Sequence, residues 1–174
     1  MLKCIPLLLL VLVSCRPNRD LSQYTVEDKD SNLTAHIRTA NPKHAAQLLS
    51  GFHQIEQEGW RWAAARFSVQ LKAPFGSPKL GATLTLRGNF PDLVHARTGP
   101  IRITARLNEL DLPPYTIQKP GDFAYSADVP AQAFAADRIV ATFATDKSIP
   151  PNTFPGDGRE LALILATISL DTKQ

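Results

Sequence analysis

The feature that most limits what this chain can fold into is an alternation of apolar and polar residues with a period of two. Phe67, Val69 and Leu71 form one such run; Leu80, Ala82, Leu84 and Leu86 form another. Ile101, Ile103, Ala105 and Leu107 repeat it, as do Phe123, Tyr125, Ala127 and Val129, and then Ile139, Ala141 and Phe143. In an extended strand successive side chains point to opposite faces, so each run offers one face to a core and the other to water. Between the runs lie "APFGSP", "GNFPD", "RTGP", "LPP", "KPGD" and "SIPPNTFPGDG", all rich in turn formers. The chain has fourteen prolines, which cannot donate in a central ladder and so belong in those loops. Short strands at this spacing, polar on their outer faces, predict an all-β fold: an antiparallel β-sandwich, jelly-roll-like.

Two segments depart from the alternation. In "NPKHAAQLLSGF", Asn41 suits an N-cap, Pro42 the first helical position and Gly51 the left-handed terminator. Ala45, Leu48, Leu49 and Phe52 follow helical spacing, which predicts one short helix from Pro42 to Ser50. In "RELALILATISL" Leu161, Leu163 and Leu165 are apolar, and so are Ala162, Ile164, Ala166, Ile168 and Leu170 on the other parity. A strand apolar on both faces needs cover on both, and the short helix is the expected cover for its first half.

The start, "MLKCIPLLLLVLVSC", has a positive Lys3 and an apolar run from Ile5 to Val13, too short to span a bilayer and of the length of a signal-peptide core. It ends in Leu12-Val13-Ser14-Cys15, which resembles the lipobox of bacterial lipoproteins. That resemblance implies cleavage before Cys15, a lipid on its thiol and acylation of its new amino group. Arg16, where inner-membrane lipoproteins often carry Asp, then implies the periplasmic face of the outer membrane. The alternative is an ordinary secretory signal with Cys15 incidental. The expected organisation is a lipoprotein signal peptide over 1–14, lipidated Cys15 and a polar tether over 15–31, with a short strand near Tyr24 to Val26, and a β-sandwich domain over 32–174.

With Cys4 removed and Cys15 lipidated, no thiol remains for a disulfide, a nucleophile or a metal. Loss of Lys3 lowers the formal charge of +3 by one, and no basic block stands out, which argues against a nucleic-acid partner.

The two tryptophans stand together in "EGWRWAAARFSVQL". Trp60, Trp62 and Ala64 are even; Phe67, Val69 and Leu71 are odd. The phase slips across "AAAR", which predicts a bulge or tight turn there. Two readings of Trp60 and Trp62 stay open: packing in a core, or a sugar-stacking face offered by flat apolar indoles. Likewise Arg159 and Glu160 are either an ion-pairing brace reaching Glu56, Glu58 or Arg61, or a polar rim hydrogen-bonding sugar hydroxyls.

"GWRWAAARFSVQL" together with "DGRELALILATISL" resembles a small β-sandwich domain of bacterial envelope proteins, relatives of which are appended to glycosyltransferases. Trp60, Arg61, Trp62, Asp157, Arg159, Glu160 and Leu161 carry the match. The resemblance implies a non-catalytic module, carbohydrate-binding-like in shape.

Catalytic and metal patterns are sparse. His36, His44, His53 and His95 form no H-x-x-x-H or H-E-x-x-H, and no nucleophile elbow or phosphate loop is present. Asp157 alone supplies too few ligands for calcium. Glu56 and Glu58 lie two apart and could mimic the paired carboxylates of a glycan hydrolase. The sequence therefore predicts no enzyme and no cofactor. Its expected role is a lipid-anchored envelope protein that binds, with glycan as the leading ligand and Trp60, Arg61, Trp62, Arg159 and Glu160 as candidate contacts. The rival is a structural or protein-interaction lipoprotein with no small ligand.

Overall fold

The structure, a computed structural model, describes residues 33–57 and 59–174. Cys15, the strand expected near Tyr24 and Glu58 lie outside the described residues. The strands are β1 (His36–Arg38), β2 (Leu48–Glu56), β3 (Trp60–Lys72), β4 (Ala82–Phe90), β5 (Ile101–Leu107), β6 (Leu110–Ile117), β7 (Gly121–Val129), β8 (Arg138–Thr145) and β9 (Leu163–Thr172). Two short helices, α1 (Ser77–Leu80) and α2 (Asp92–Thr98), flank β4.

All pairings are antiparallel, in the order β6-β5-β8-β3-β9-β4-β7, with β1 added on β9 and β2 on β3. The all-β antiparallel sandwich expected from the alternation is the fold observed. The odd-numbered residues of the five runs point inward: Phe67, Val69, Leu71, Ile101, Ile103, Leu107, Val129, Ile139, Ala141 and Phe143 are all essentially inaccessible, and the even-numbered Leu84 and Leu86 join them. The two end strands, β6 and β7, meet at a seam. There the Tyr125 hydroxyl donates to the Pro113 carbonyl (2.9 Å), and the Tyr115 and Tyr125 rings lie 6.1 Å apart. Burial raises the Tyr125 phenol above its ordinary pKa.

Three local expectations are corrected. The predicted helix begins as read, with Asn41 accepting from the Lys43 N–H (3.1 Å) and Pro42 in the first turn, but it is a 3-10 turn that ends at Gln47. Leu48 onward is strand β2, because the tertiary ladder with β3 outweighs a helical spacing of only a few residues. Gly51 does adopt the left-handed conformation (φ 78°), yet inside β2. A Cβ there would stand 2.0 Å from the Arg66 carbonyl oxygen, so only glycine fits.

The second correction concerns β9. The 3-10 turn touches β1, β2 and β3 rather than covering β9. The segment is buried on both parities only at its start, over Leu161, Ala162 and Leu163, and then changes phase: Leu163 and Leu165 are buried, then Ile168 and Leu170. The pairing with β4 slips at the same place, between Arg87 and Gly88, as a bulge does. The third concerns "LPP". Pro113 and Pro114 sit within β6, an edge strand, where a missing N–H costs no ladder bond.

Candidate functional site

β3 is the element that positions everything the two motifs contribute. Over Arg61–Ala63 it pairs with β9, and over Arg66–Lys72 with β8. The expected phase slip is there: one residue of β2, Gly51, faces Ala64 to Phe67 of β3. At the bulge β3 changes partner, from β9 to β8.

At the bend the two motifs meet. Trp62 pairs with Ile164, and the Ala162 N–H donates to the Ala63 carbonyl (2.9 Å). Trp62 is 8% exposed and belongs to the core; Trp60 is partly buried against it. Their rings are 6.3 Å apart and inclined by 74°, an edge-to-face pair rather than a coplanar platform. Arg61 is held by the backbone: Nε donates to the Thr39 carbonyl (2.7 Å) and Nη1 to the His53 carbonyl (2.8 Å).

Arg159 closes the corner from the other side. Its Nε and Nη2 make a two-pronged contact with Asp157 (both 2.9 Å), and Nη1 donates to Glu56 Oε1. The guanidinium and the Arg159 N–H hold the Asp157 carboxyl at a pKa of about 2, and the two carboxylates make Arg159 more basic than usual. The ion pair with Glu56 is thus the brace that one of the two readings describes. Glu160 does not join it. Its carboxylate accepts from the Ala65 N–H (3.2 Å) and from Ser148 Oγ (2.7 Å), while its carbonyl contacts His53 Nε2 (2.7 Å). Ala65 lies between the β9-paired and β8-paired stretches of β3, so Glu160 supplies an acceptor where the ladder changes partner.

The structure therefore brings Trp60, Arg61, Trp62, Arg159 and Glu160 into one cluster, but it spends the two guanidiniums and the Glu160 carboxylate on the scaffold. The other titratable candidates are spent too. His36 faces Asp171 (3.1 Å), the Arg38 N–H donates to His44 Nδ1 (2.9 Å), and His95 stands edge-on to Phe90. Among the described residues no group of three His, Cys, Asp or Glu is placed to hold a metal ion.

A different surface has the shape and chemistry of a contact face. Register aligns Ser68 with Thr142, Thr142 with Arg106, and Arg106 with Asp111 across β3, β8, β5 and β6. Ser50 of β2 extends the row, its hydroxyl 2.7 Å from that of Ser68. Beside the row, Arg66, Thr104, Arg106, Asp111 and Thr142 line a shallow groove of about 280 Å³. Arg106 is oriented by Glu109 (3.4 Å) and Asp111 (3.3 Å), and Arg66 is exposed. Sequence reading misses this face because its residues are ordinary outward positions of separate strands. Only inter-strand register makes them neighbours.

No protein-family profile and no curated protein sequence matches this chain. Among solved structures the fold is similar to the carbohydrate-binding module TmCBM27, described for specific mannan recognition. The two share 12% sequence identity with a TM-score of 0.45, over 82% of this chain and 98% of that one. It is also similar to a CBM4 structure, at 10% identity and a TM-score of 0.36, over 73% of this chain and 77% of the other. A likeness of this size carries no residue assignment across.

Proposed function

We propose that this chain is a non-catalytic glycan-binding lipoprotein, anchored through Cys15 at the periplasmic face of the outer membrane. The observation that carries the binding part is the polar row Ser50–Ser68–Thr142–Arg106–Asp111 with the Arg66 groove beside it. Such a face sets three hydroxyls beside a guanidinium and a carboxylate, which suits the closely spaced donors and acceptors of a sugar chain. Two guanidiniums, one of them without an opposing carboxylate in the groove, favour an acidic polysaccharide. Trp60 and Trp62 support the fold instead of the ligand.

Affinity electrophoresis through alginate and through neutral dextran tests the reading. Retardation by alginate that is lost in an Arg66→Ala, Arg106→Ala variant supports it; equal mobility in both polysaccharides and in plain gel contradicts it. The anchor has its own test. The wild type takes up a fatty-acid probe and Cys15→Ser does not; a wild type that takes up no label sinks the anchor.

The rival reading, a structural or protein-interaction lipoprotein, is favoured by one observation: the guanidiniums of Arg61 and Arg159 and the carboxylate of Glu160 are all engaged within the chain. A hydrolase using Glu56 is disfavoured by the same cluster, since its carboxylate is engaged by Arg159.

A further inference from the structure

The most exposed large apolar side chain among the described residues is Phe75, at 102%, and Leu80, at 56%, follows it at the end of α1. A ring on a loose loop can fold back onto neighbouring apolar surface; this loop is pinned. Both the N–H and the hydroxyl of Ser77 donate to the Pro74 carbonyl (3.1 and 2.7 Å), and Thr172 Oγ1 donates to the Phe75 carbonyl (2.7 Å). Gly76, at φ 84°, then turns the chain into α1. The backbone on both sides of Phe75 is fixed, so the ring stays presented to the outside.

Its surroundings are basic and apolar together. Lys72, Pro74, Phe75, Pro78, Lys79 and Asp137 line a groove of about 570 Å³, with both lysines exposed. Asp137 is the one opposing charge on the groove and has Arg138 next to it; Lys173, nearby, is already paired with Asp128 (3.0 Å). The chain also joins the domain at this end: the Lys72 N–H donates to the Thr34 carbonyl (3.1 Å), and Leu33 and Lys72 share a small cleft.

We propose that this end of the sandwich docks on an anionic lipid surface, with Phe75 and Leu80 entering the acyl boundary and Lys72 and Lys79 meeting the phosphates. An apolar ring flanked by ammonium groups is the arrangement that partitions into a bilayer interface. The choice of a bilayer over another occupant rests on the lipid-anchor reading of Cys15. A domain tethered beside Lys72 is held close to the surface that tethers it, where contacts too weak to act alone become populated.

The experiment separates this proposal from the anchor itself. The chain from residue 15 onward, which keeps the whole described core, carries Cys15→Ser and an N-terminal hexahistidine. It is held on nickel-chelating vesicles containing phosphatidylglycerol, so its attachment does not depend on natural lipidation. A dye is placed through Pro78→Cys or, at the other end of β4, through Ala96→Cys on α2, and is quenched by a spin label in the lipid. The expected result is several-fold stronger quenching at position 78 than at 96. Phe75→Ser brings position 78 down to the level of 96, and Lys72→Gln or Lys79→Gln weakens the contact about fivefold each. Equal quenching at the two positions, or quenching indifferent to Phe75→Ser, overturns the proposal. So does a dye at 78 that is already shielded from aqueous iodide without vesicles, since the patch is then covered before it meets any lipid. Failure of Cys15 to take up fatty acid removes the anchor reading and leaves this measurement to decide the patch independently.

Discussion

Trp62 and Arg66 lie four residues apart on the same strand, yet the two halves of β3 that they represent are built for different ends. The first half, against β9, buries Trp62 and ties Arg61 to two backbone carbonyls. The second half, against β8, buries Phe67, Val69 and Leu71 on one side and turns Arg66 and Ser68 outward into a polar row. Residue type alone does not separate them, because both halves carry arginine and apolar side chains. What separates them is the number of intramolecular partners each polar group has. Where the charged groups are met within the chain, as at Arg61 and Arg159, the motif is a joint; where a guanidinium stands exposed, as at Arg66 and Arg106, it is open to water.

The largest effect belongs to the joint. Trp62→Ala removes a core indole and its edge-to-face contact with Trp60, and is expected to cost about 3–5 kcal/mol in denaturant unfolding. A cost within about half a kcal/mol, the range of ordinary surface sites, would show that the indole is not core. Arg159→Ala comes next. It leaves the Glu56 and Asp157 carboxylates without their shared cation, and since the site is about one-third exposed the expected loss is about 1–2 kcal/mol. A double-mutant cycle of Arg159→Ala with Glu56→Ala should return a coupling of about 1 kcal/mol; independent, additive losses would break the brace into two unrelated contacts.

Acid should act on the same joint in a defined window. The Asp157 carboxyl is depressed from 3.8 to about 2 by the Arg159 guanidinium, so its charged form is favoured in the folded state. The stability it supplies is complete above the unfolded value and is lost as the pH falls through about 2. Thermal midpoints of the wild type and Asp157→Asn should therefore differ by a constant amount near neutrality and converge as the pH drops from 3.8 to about 2. A gap that stays unchanged to pH 2 would mean that Asp157 is not the titrating partner.

How much of this was legible beforehand follows from the range of each interaction. The five alternating runs were readable, apart from Leu80, which ends α1 exposed instead of opening β4, because burial of one strand face is written in the strand's own residues. The bulge at Ala63–Arg66 was readable for the same reason, as a change of phase within one strand. The helix over Pro42 to Ser50 misled because a few apolar residues satisfy helical and extended spacing equally, and the ladder with β3 decides between them. Pro113 and Pro114 hid β6, since only its position at the edge of the sheet makes them tolerable. Of the candidate site, the sequence offered Glu56, Glu58 and Arg61 as partners for Arg159 and Glu160, and the structure selects Glu56 for Arg159. The sequence could not align Ser68, Thr142, Arg106 and Asp111, which are neighbours only through the registers of three separate strand pairs.

The smallest stability effect is also the most decisive comparison. Arg66 and Arg106 are exposed, and the ion pairs of Arg106 with Glu109 and Asp111 lie in water, so Arg66→Ala with Arg106→Ala should shift stability by no more than about 0.5 kcal/mol. The direct test measures alginate retardation and thermal unfolding together on this double variant and on Arg159→Ala. The division of labour along β3 predicts that the double variant melts like the wild type and loses its retardation, while Arg159→Ala melts earlier and, below its melting point, is retarded as the wild type is. Retardation lost in Arg159→Ala and kept in the double variant would contradict it, and would return the binding site to the tryptophan corner.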